Sequence, residues 1–191
     1  MKDRIMMIVF VLILGTILST TLVVVNDFTE PMVARNEEIK ELSTILNAFG
    51  IEFTKENITG IFDSNIETIE LSGMLYYKVS SGKMAFPFEG PGLWGPIIGV
   101  MAMEADAKTI STVAIKFQEE TPGLGSRIAE KAYLDTFITK QFSPELNLVS
   151  EGSAERETEV DGITGATLSC AAFIDILNED YKIFYTGFQG D

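Results

Sequence analysis

The sequence predicts an α+β fold: one N-terminal transmembrane helix followed by a single extracytoplasmic domain. Three observations predict it. An apolar run without charge, Ile5 to Val25, stands at the N-terminus. Beyond it, helix-type and strand-type periodicities alternate as helix, strands, helix, strands and helix. About 165 residues follow the run, enough for one domain with its own core.

Ile5–Val25 is 21 residues long. A helix of that length covers about 30 Å, the hydrocarbon thickness of a bilayer. Lys2 and Arg4 precede it, and Asp27 and Glu30 follow. The positive flank is expected to stay in the cytoplasm, with the main domain on the outer side. Val23, Val24 and Val25 provide no small-residue cleavage site, so the run reads as an uncleaved anchor. The expected boundaries are a cytoplasmic N-terminus at 1–4, a span at 5–25, a linking helix at 26–50 and the domain at 51–191.

Thr29 to Phe49 reads as a helix capped by Thr29 and stopped by Gly50, with Ile39, Leu42, Ile45, Leu46 and Phe49 on one face. Residues 50–73 are mixed, with room for one short strand. Met74–Val79 reads as a strand, and Pro87–Gly95 as a Gly/Pro-rich stretch. Ile97–Glu104 and Thr109–Gln118 read as two strands joined by a turn at residues 105–108. Thr121–Gly125 is a second loop. Ser126–Phe142 reads as a helix, residues 147–160 as polar with a weak strand, and Asp161–Thr167 as a third loop. A last helix begins near Leu168.

Composition excludes several functions. The net charge is −14. Lys2, Asp3 and Arg4 together carry +1, so the part beyond the span carries −15. Nucleic acid and anionic lipid call for a basic face, so neither is an expected partner. The chain has no histidine and one cysteine, Cys170. Ser-His-Asp and Cys-His catalysis, an intrachain disulfide and Cys-based metal centres are thereby removed. No catalytic residue and no metal site is expected. Glu119 and Glu120 are neighbours on a strand and point to opposite faces, so they are not a glycosidase-type pair.

The most informative stretch is D-G-I-T-G-A-T-L-S, Asp161 to Ser169. Gly162 and Gly165 open unusual backbone conformations, and a helix start favours a phosphate. Taken alone, the stretch reads as a tight loop with Thr164 or Thr167 as helix cap. D-G-I-T-G-A-T, however, resembles the flavinylation sequence of the FMN-binding domain family. That family includes the G subunit of the Rnf ferredoxin:NAD oxidoreductase and the C subunit of the sodium-pumping NADH:quinone reductase. E-T-P-G-L-G-S, Glu120 to Ser126, resembles a second signature of the family, and G-P-G-L-W-G, Gly90 to Gly95, a third.

The resemblance implies FMN bonded through a phosphoester to Thr167, installed from FAD by a separate flavin transferase. Thr164, Gly165 and Ala166 fill the rest of that motif, Leu168 begins the helix, and Asp161 opens the pattern. Asp161 either serves attachment or shapes the loop as an Asx-turn. Around the flavin ring the implied residues are Leu93, Trp94, Glu120, Thr121, Gly123, Leu124 and Gly125. The amides of 123–126 would donate to the ring, and Trp94 would pack on it or belong to the core. The implied role is an electron-transfer subunit of a membrane-bound, ion-translocating complex, Rnf-type in the first instance, with other membrane subunits as partners. The quinone-reductase C subunit, a stand-alone flavinylated domain and a cofactor-free anchored sensor or binding domain are the alternatives.

Overall fold

The computed structural model describes residues 2–71 and 74–189. Met1, Ser72, Gly73, Gly190 and Asp191 lie outside the described residues, so the end of the expected mixed stretch is not covered. The chain forms two compact units, Met1–Lys40 and Glu41–Asp191.

The first helix, α1, is Lys2–Ala48 and enters both units. In the first unit every side chain of the Ile5–Val25 run is exposed. The helix is long and apolar enough to cross a membrane. Thr29 does not cap a new helix as the sequence suggested. It lies inside α1, where its hydroxyl donates to the Val25 carbonyl at 2.9 Å. A threonine that bonds back to its own preceding turn has no oxygen committed to the amides ahead.

In the second unit the end of α1 buries Thr44, Ile45, Leu46 and Ala48. Gly50 stops it as expected, at φ +69°. Ile51 N–H donates to Leu46 O at 2.9 Å and Gly50 N–H to Asn47 O at 3.0 Å, the paired bonds of a glycine-terminated helix. A short helix, α2 (Ile58–Asn65), follows that the periodicity did not suggest.

Five strands then form an antiparallel meander in sequence order. They are β1 (Glu67–Leu71), β2 (Met74–Lys78), β3 (Met84–Pro91), β4 (Pro96–Met103) and β5 (Ile110–Gln118). The stretch from Pro87 that read as Gly/Pro-rich loop is half strand: Met84–Pro91 pairs with β4 along its length. Pro87 and Gly90 mask a strand whose other residues, Ala85, Phe86 and Phe88, are core. Gly99 marks the tightest approach in the sheet. A side chain there would strike the Ala114 carbonyl and the Phe88 ring.

The expected helix at Ser126–Phe142 is broken. A 3-10 turn at Gly125–Ala129 leads to α3 (Lys131–Leu134) and a second 3-10 turn at Asp135–Phe137. Thr139 then takes φ +70°. Of the apolar residues expected on its inner side, Ile128, Tyr133 and Phe137 are buried, Leu134 is half-buried and Ile138 is exposed, so the pattern reported most of the burial and missed the break. The polar stretch holds β6 (Asn147–Val149) and β7 (Glu159–Asp161), paired in parallel.

The last helix, α4 (Thr167–Gln189), lies over β3. Phe173 meets Phe88 at 5.7 Å, and Phe184 stacks on Phe86 at 4.5 Å. Asn178 holds the Leu146 backbone from both sides, donating to its carbonyl at 3.0 Å and accepting from its amide at 2.8 Å. Cys170 is fully buried in this core, as a small apolar residue would be.

Candidate cofactor site

The sheet brings two loops together by register. Pro91 pairs with Pro96, so Gly92–Gly95 is the tip of the β3–β4 hairpin, closed by Gly92 N–H to Gly95 O at 2.9 Å. Ile97 pairs with Gln118, so the residues that leave β5 emerge beside that tip. The third loop, 162–166, runs from β7 into α4 at the same place. All three signature stretches therefore meet, and a cleft of about 290 Å³ opens between them. Leu93, Trp94, Thr121, Leu124, Gly125, Gly165, Ala166, Thr167, Leu168 and Ser169 line it. Ligand clefts typically hold roughly 300–1,000 Å³, so this one suits a ring system rather than a whole dinucleotide.

Nine of the thirteen residues expected from the sequence line the cleft. Trp94 is 73% exposed and belongs to the rim, not to the core. Leu93, Leu124 and Leu168 are also exposed, so the mouth is apolar.

Thr167 is exposed and is the first residue of α4. Neither threonine caps the helix. The first bond inside α4 runs from Cys170 N–H to Ala166 O at 2.9 Å, which makes Ala166 the capping residue. Alanine has no side-chain oxygen, and at this position it costs about 1 kcal/mol against Ser, Thr, Asp or Asn. The first-turn amides of α4 are left for an external acceptor of the phosphate kind. A helix start with no side-chain cap at the cleft mouth, and an exposed hydroxyl on its first residue, fits a phosphate joined to that hydroxyl.

The remaining four expected residues stand behind or beside the cleft. Glu120 is buried at 4% exposure. Its Oε1 accepts from the amides of Leu93 at 2.7 Å and Trp94 at 3.2 Å, and its Oε2 from the Ser169 hydroxyl at 2.7 Å. Glu119 is exposed, so the two carboxylates do diverge. Gly123 turns the second loop at φ +74°. The amides of Gly123, Leu124 and Ser126 bond within that loop, to Ser126 Oγ and the Thr121 carbonyl, which leaves only Gly125 N–H of the four expected donors. Thr164 is held from two sides. Its amide donates to Glu151 Oε2 at 3.0 Å, and its carbonyl accepts from Arg127 Nη1 at 3.4 Å. The Thr164 side chain and amide hold the Glu151 carboxyl below its ordinary value. Asp161 makes no Asx-turn. Its carboxylate accepts from the amides of Ser153 and Ala154, at 2.8 and 2.9 Å, and so shapes the segment before β7.

Sequence reasoning missed Ser169, Arg127 and Glu151. Ser169 ends the quoted stretch, but nothing in its spacing signals a bond to a glutamate 49 positions earlier. Arg127 reaches Thr164 from the 3-10 turn Gly125–Ala129, and Glu151 from the turn after β6.

Residues 92–182 match the family model described as FMN-binding domain. Among curated proteins, the C subunit of the Na(+)-translocating NADH-quinone reductase from Vibrio alginolyticus is 36% identical over 93 residues, covering 46% of this chain and 36% of that protein. The same subunit from Chlamydia trachomatis is 34% identical over 108 residues, covering 46% and 34%. The match spans little more than a third of the length of these relatives. Among solved structures, NqrC of Shewanella oneidensis has a TM-score of 0.67 at 21% identity, covering 77% of this chain and 91% of its own. The C subunit of the Na(+)-translocating reductase from Parabacteroides distasonis has a TM-score of 0.67 at 22% identity, covering 78% and 90%. These structures share the fold. Residues 92–182 of this chain are thus similar to an FMN-binding domain, and the relatives described above are C subunits of Na(+)-translocating NADH-quinone reductases.

Proposed function

We propose that this chain is an electron-transfer subunit of a membrane redox complex and carries one FMN in phosphoester linkage to Thr167. The observation that carries the reading is the convergence of three separate loops on one cleft, with exposed Thr167 opening α4 at its mouth. The domain family supports FMN as the group. Bound FMN supplies one- and two-electron chemistry; the protein supplies position, shielding and electrostatics. Leu93, Trp94, Leu124 and Leu168 form the apolar walls for the ring, and Gly125 leaves its amide to donate. The first-turn amides of α4 would hold the phosphate.

Attachment is the work of a flavin transferase. The Thr167 hydroxyl attacks the FMN phosphorus of FAD, the pyrophosphate bond breaks, AMP leaves, and the hydroxyl proton is lost. With no histidine in the chain to activate it, the hydroxyl depends on that outside catalyst. A bond also removes dissociation as a hazard for a dianionic cofactor in a strongly acidic domain.

The relatives found favour the quinone-reductase C subunit as the place of this chain. An Rnf-type ion-translocating complex is the second reading, favoured by the short domain without long insertions. In both, α1 anchors the chain, Lys2 and Arg4 keep its N-terminus in the cytoplasm, and the domain lies on the outer side. Intact mass of the chain co-expressed with a flavin transferase tests the reading. The expected increment is one FMN less one water, absent in Thr167→Ala together with in-gel flavin fluorescence. Unchanged labelling of Thr167→Ala would overturn it. Subunits co-purified from the native membrane then separate the two complexes.

A further inference from the structure

We propose that Glu120 is the positioning residue of this site, a buried carboxylate that couples the first turn of α4 to the Leu93–Trp94 turn without itself contacting the cofactor. Its purpose rests on the reading above; its test does not.

One side chain joins all three signature stretches. Oε1 takes the amides of Leu93 and Trp94, and Oε2 takes the Ser169 hydroxyl two residues beyond Thr167. These donors lie 27, 26 and 49 positions away in sequence. The backbone is cleared around the carboxylate. A side chain on Gly92 would strike Oε1, and one on Gly125 would come within 2.7 Å of Oε2 and 2.5 Å of the Ser169 hydroxyl. The glycines of two motifs thus make room for the glutamate that opens the second.

Burying a carboxylate is costly unless it is hydrogen-bonded, and breaking such a set leaves unpaired polar groups. Here the partners are two amides and a hydroxyl, all donors. The hairpin tip bears an exposed Trp94, and the amides of Leu93 and Trp94 both reach out of the tip to Glu120. Removing the carboxylate removes both of those bonds. With it in place, the wall of the cleft and the helix that presents Thr167 share one anchor. The cleft is therefore formed before any cofactor arrives, and a disturbance at Ser169 is felt at Trp94.

Amide hydrogen exchange on the full chain in detergent, made without a flavin transferase, tests this. Glu120→Ala should speed exchange at Leu93 and Trp94 about tenfold or more while the β4 amides keep their rates. Glu120→Gln retains a carbonyl oxygen for both amides and should restore most of the protection. Ser169→Ala touches neither amide, yet should speed both severalfold. Unchanged exchange at Leu93 and Trp94 in Ser169→Ala, or in a folded Glu120→Ala, overturns the proposal. If Glu120→Ala also loosens β4, Ser169→Ala and Glu120→Gln decide the matter alone. Co-expression with a transferase gives a second readout: Glu120→Ala should lower the flavinylated fraction about tenfold, and Glu120→Gln far less. A wild-type chain that takes no flavin would sink the functional reading and leave the exchange result standing.

Discussion

The core under α4 and the cleft at its N-terminus are built in opposite ways. The core is aromatic and dry: Phe86, Phe88, Phe137, Phe173 and Phe184 are all buried, and each lies in ring contact with another of them. The cleft is made of loops, glycines and polar bonds between distant residues. Its capping residue is an alanine, and its largest side chain, Trp94, faces water. Stability resides in the first region. The second gives up local preference, as functional sites do, and depends on the first to hold its loops in register.

The difference can be broken most forcefully in the core. Phe173 contacts both Phe88 and Phe137 and is fully buried. Phe173→Ala should cost about 3–5 kcal/mol, seen as a lower urea midpoint. Flavin attachment below the new midpoint should survive, because the three loops are untouched. Loss of attachment in a still-folded Phe173→Ala would mean that the two regions are not separable.

Titration separates the regions by sign. Burial pushes the Tyr181 phenol up to about 12, and burial also raises Tyr133. A raised folded-state value means the native state keeps protons that the unfolded state has lost. The stability the Tyr181 phenol contributes is full below the ordinary tyrosine value of 10.0 and is lost as pH climbs through about 12; that of Tyr133 has the same sign. Glu151 beside the cleft is lowered, so its contribution is present above 4.5 and is lost as pH falls. Urea midpoints should fall at alkaline pH through the core. On the acid side, a Glu151→Gln variant should show a flatter decline than the wild type.

A smaller effect on stability, with a larger one on the site, is expected of Gly125→Ala. The added carbon would meet Ser169 Oγ at 2.5 Å and Glu120 Oε2 at 2.7 Å. Overpacking of this kind costs about 1–3 kcal/mol, here centred on the cleft. Flavinylation should fall more than the midpoint does, measured by intact mass beside urea unfolding. The smallest effect sharpens the comparison as a control. Lys131–Asp135 at 2.7 Å is an exposed pair one helical turn apart, and Lys131→Ala should change stability by less than about 0.5 kcal/mol and loading not at all.

Legibility in the sequence followed the same division. The strands Met74–Lys78, Pro96–Met103 and Ile110–Gln118 and the last helix could be read because apolar residues recur along them with the right period. The strand through Phe86 and Phe88 was hidden by Pro87 and Gly90, which look like loop residues until the partner strand is seen. The helix expected from Ser126 kept Ile128, Tyr133 and Phe137 buried but lost its continuity and exposed Ile138, since periodicity does not register the turn at Thr139. In the cleft, the residues that line it stood in three short motifs. The bonds that hold it, from Glu120 to Ser169 and from Glu151 and Arg127 to Thr164, join residues 13 to 49 positions apart. No pattern along a chain encodes such a bond; only the packing of distant segments creates it.

The central claim is chemical and can be weighed. Intact-mass analysis of the chain isolated from its native membrane, followed by peptide mapping, should find one FMN less one water on the peptide that contains Thr167. An unmodified Thr167 peptide from that source, or the same mass on another residue, would contradict the account.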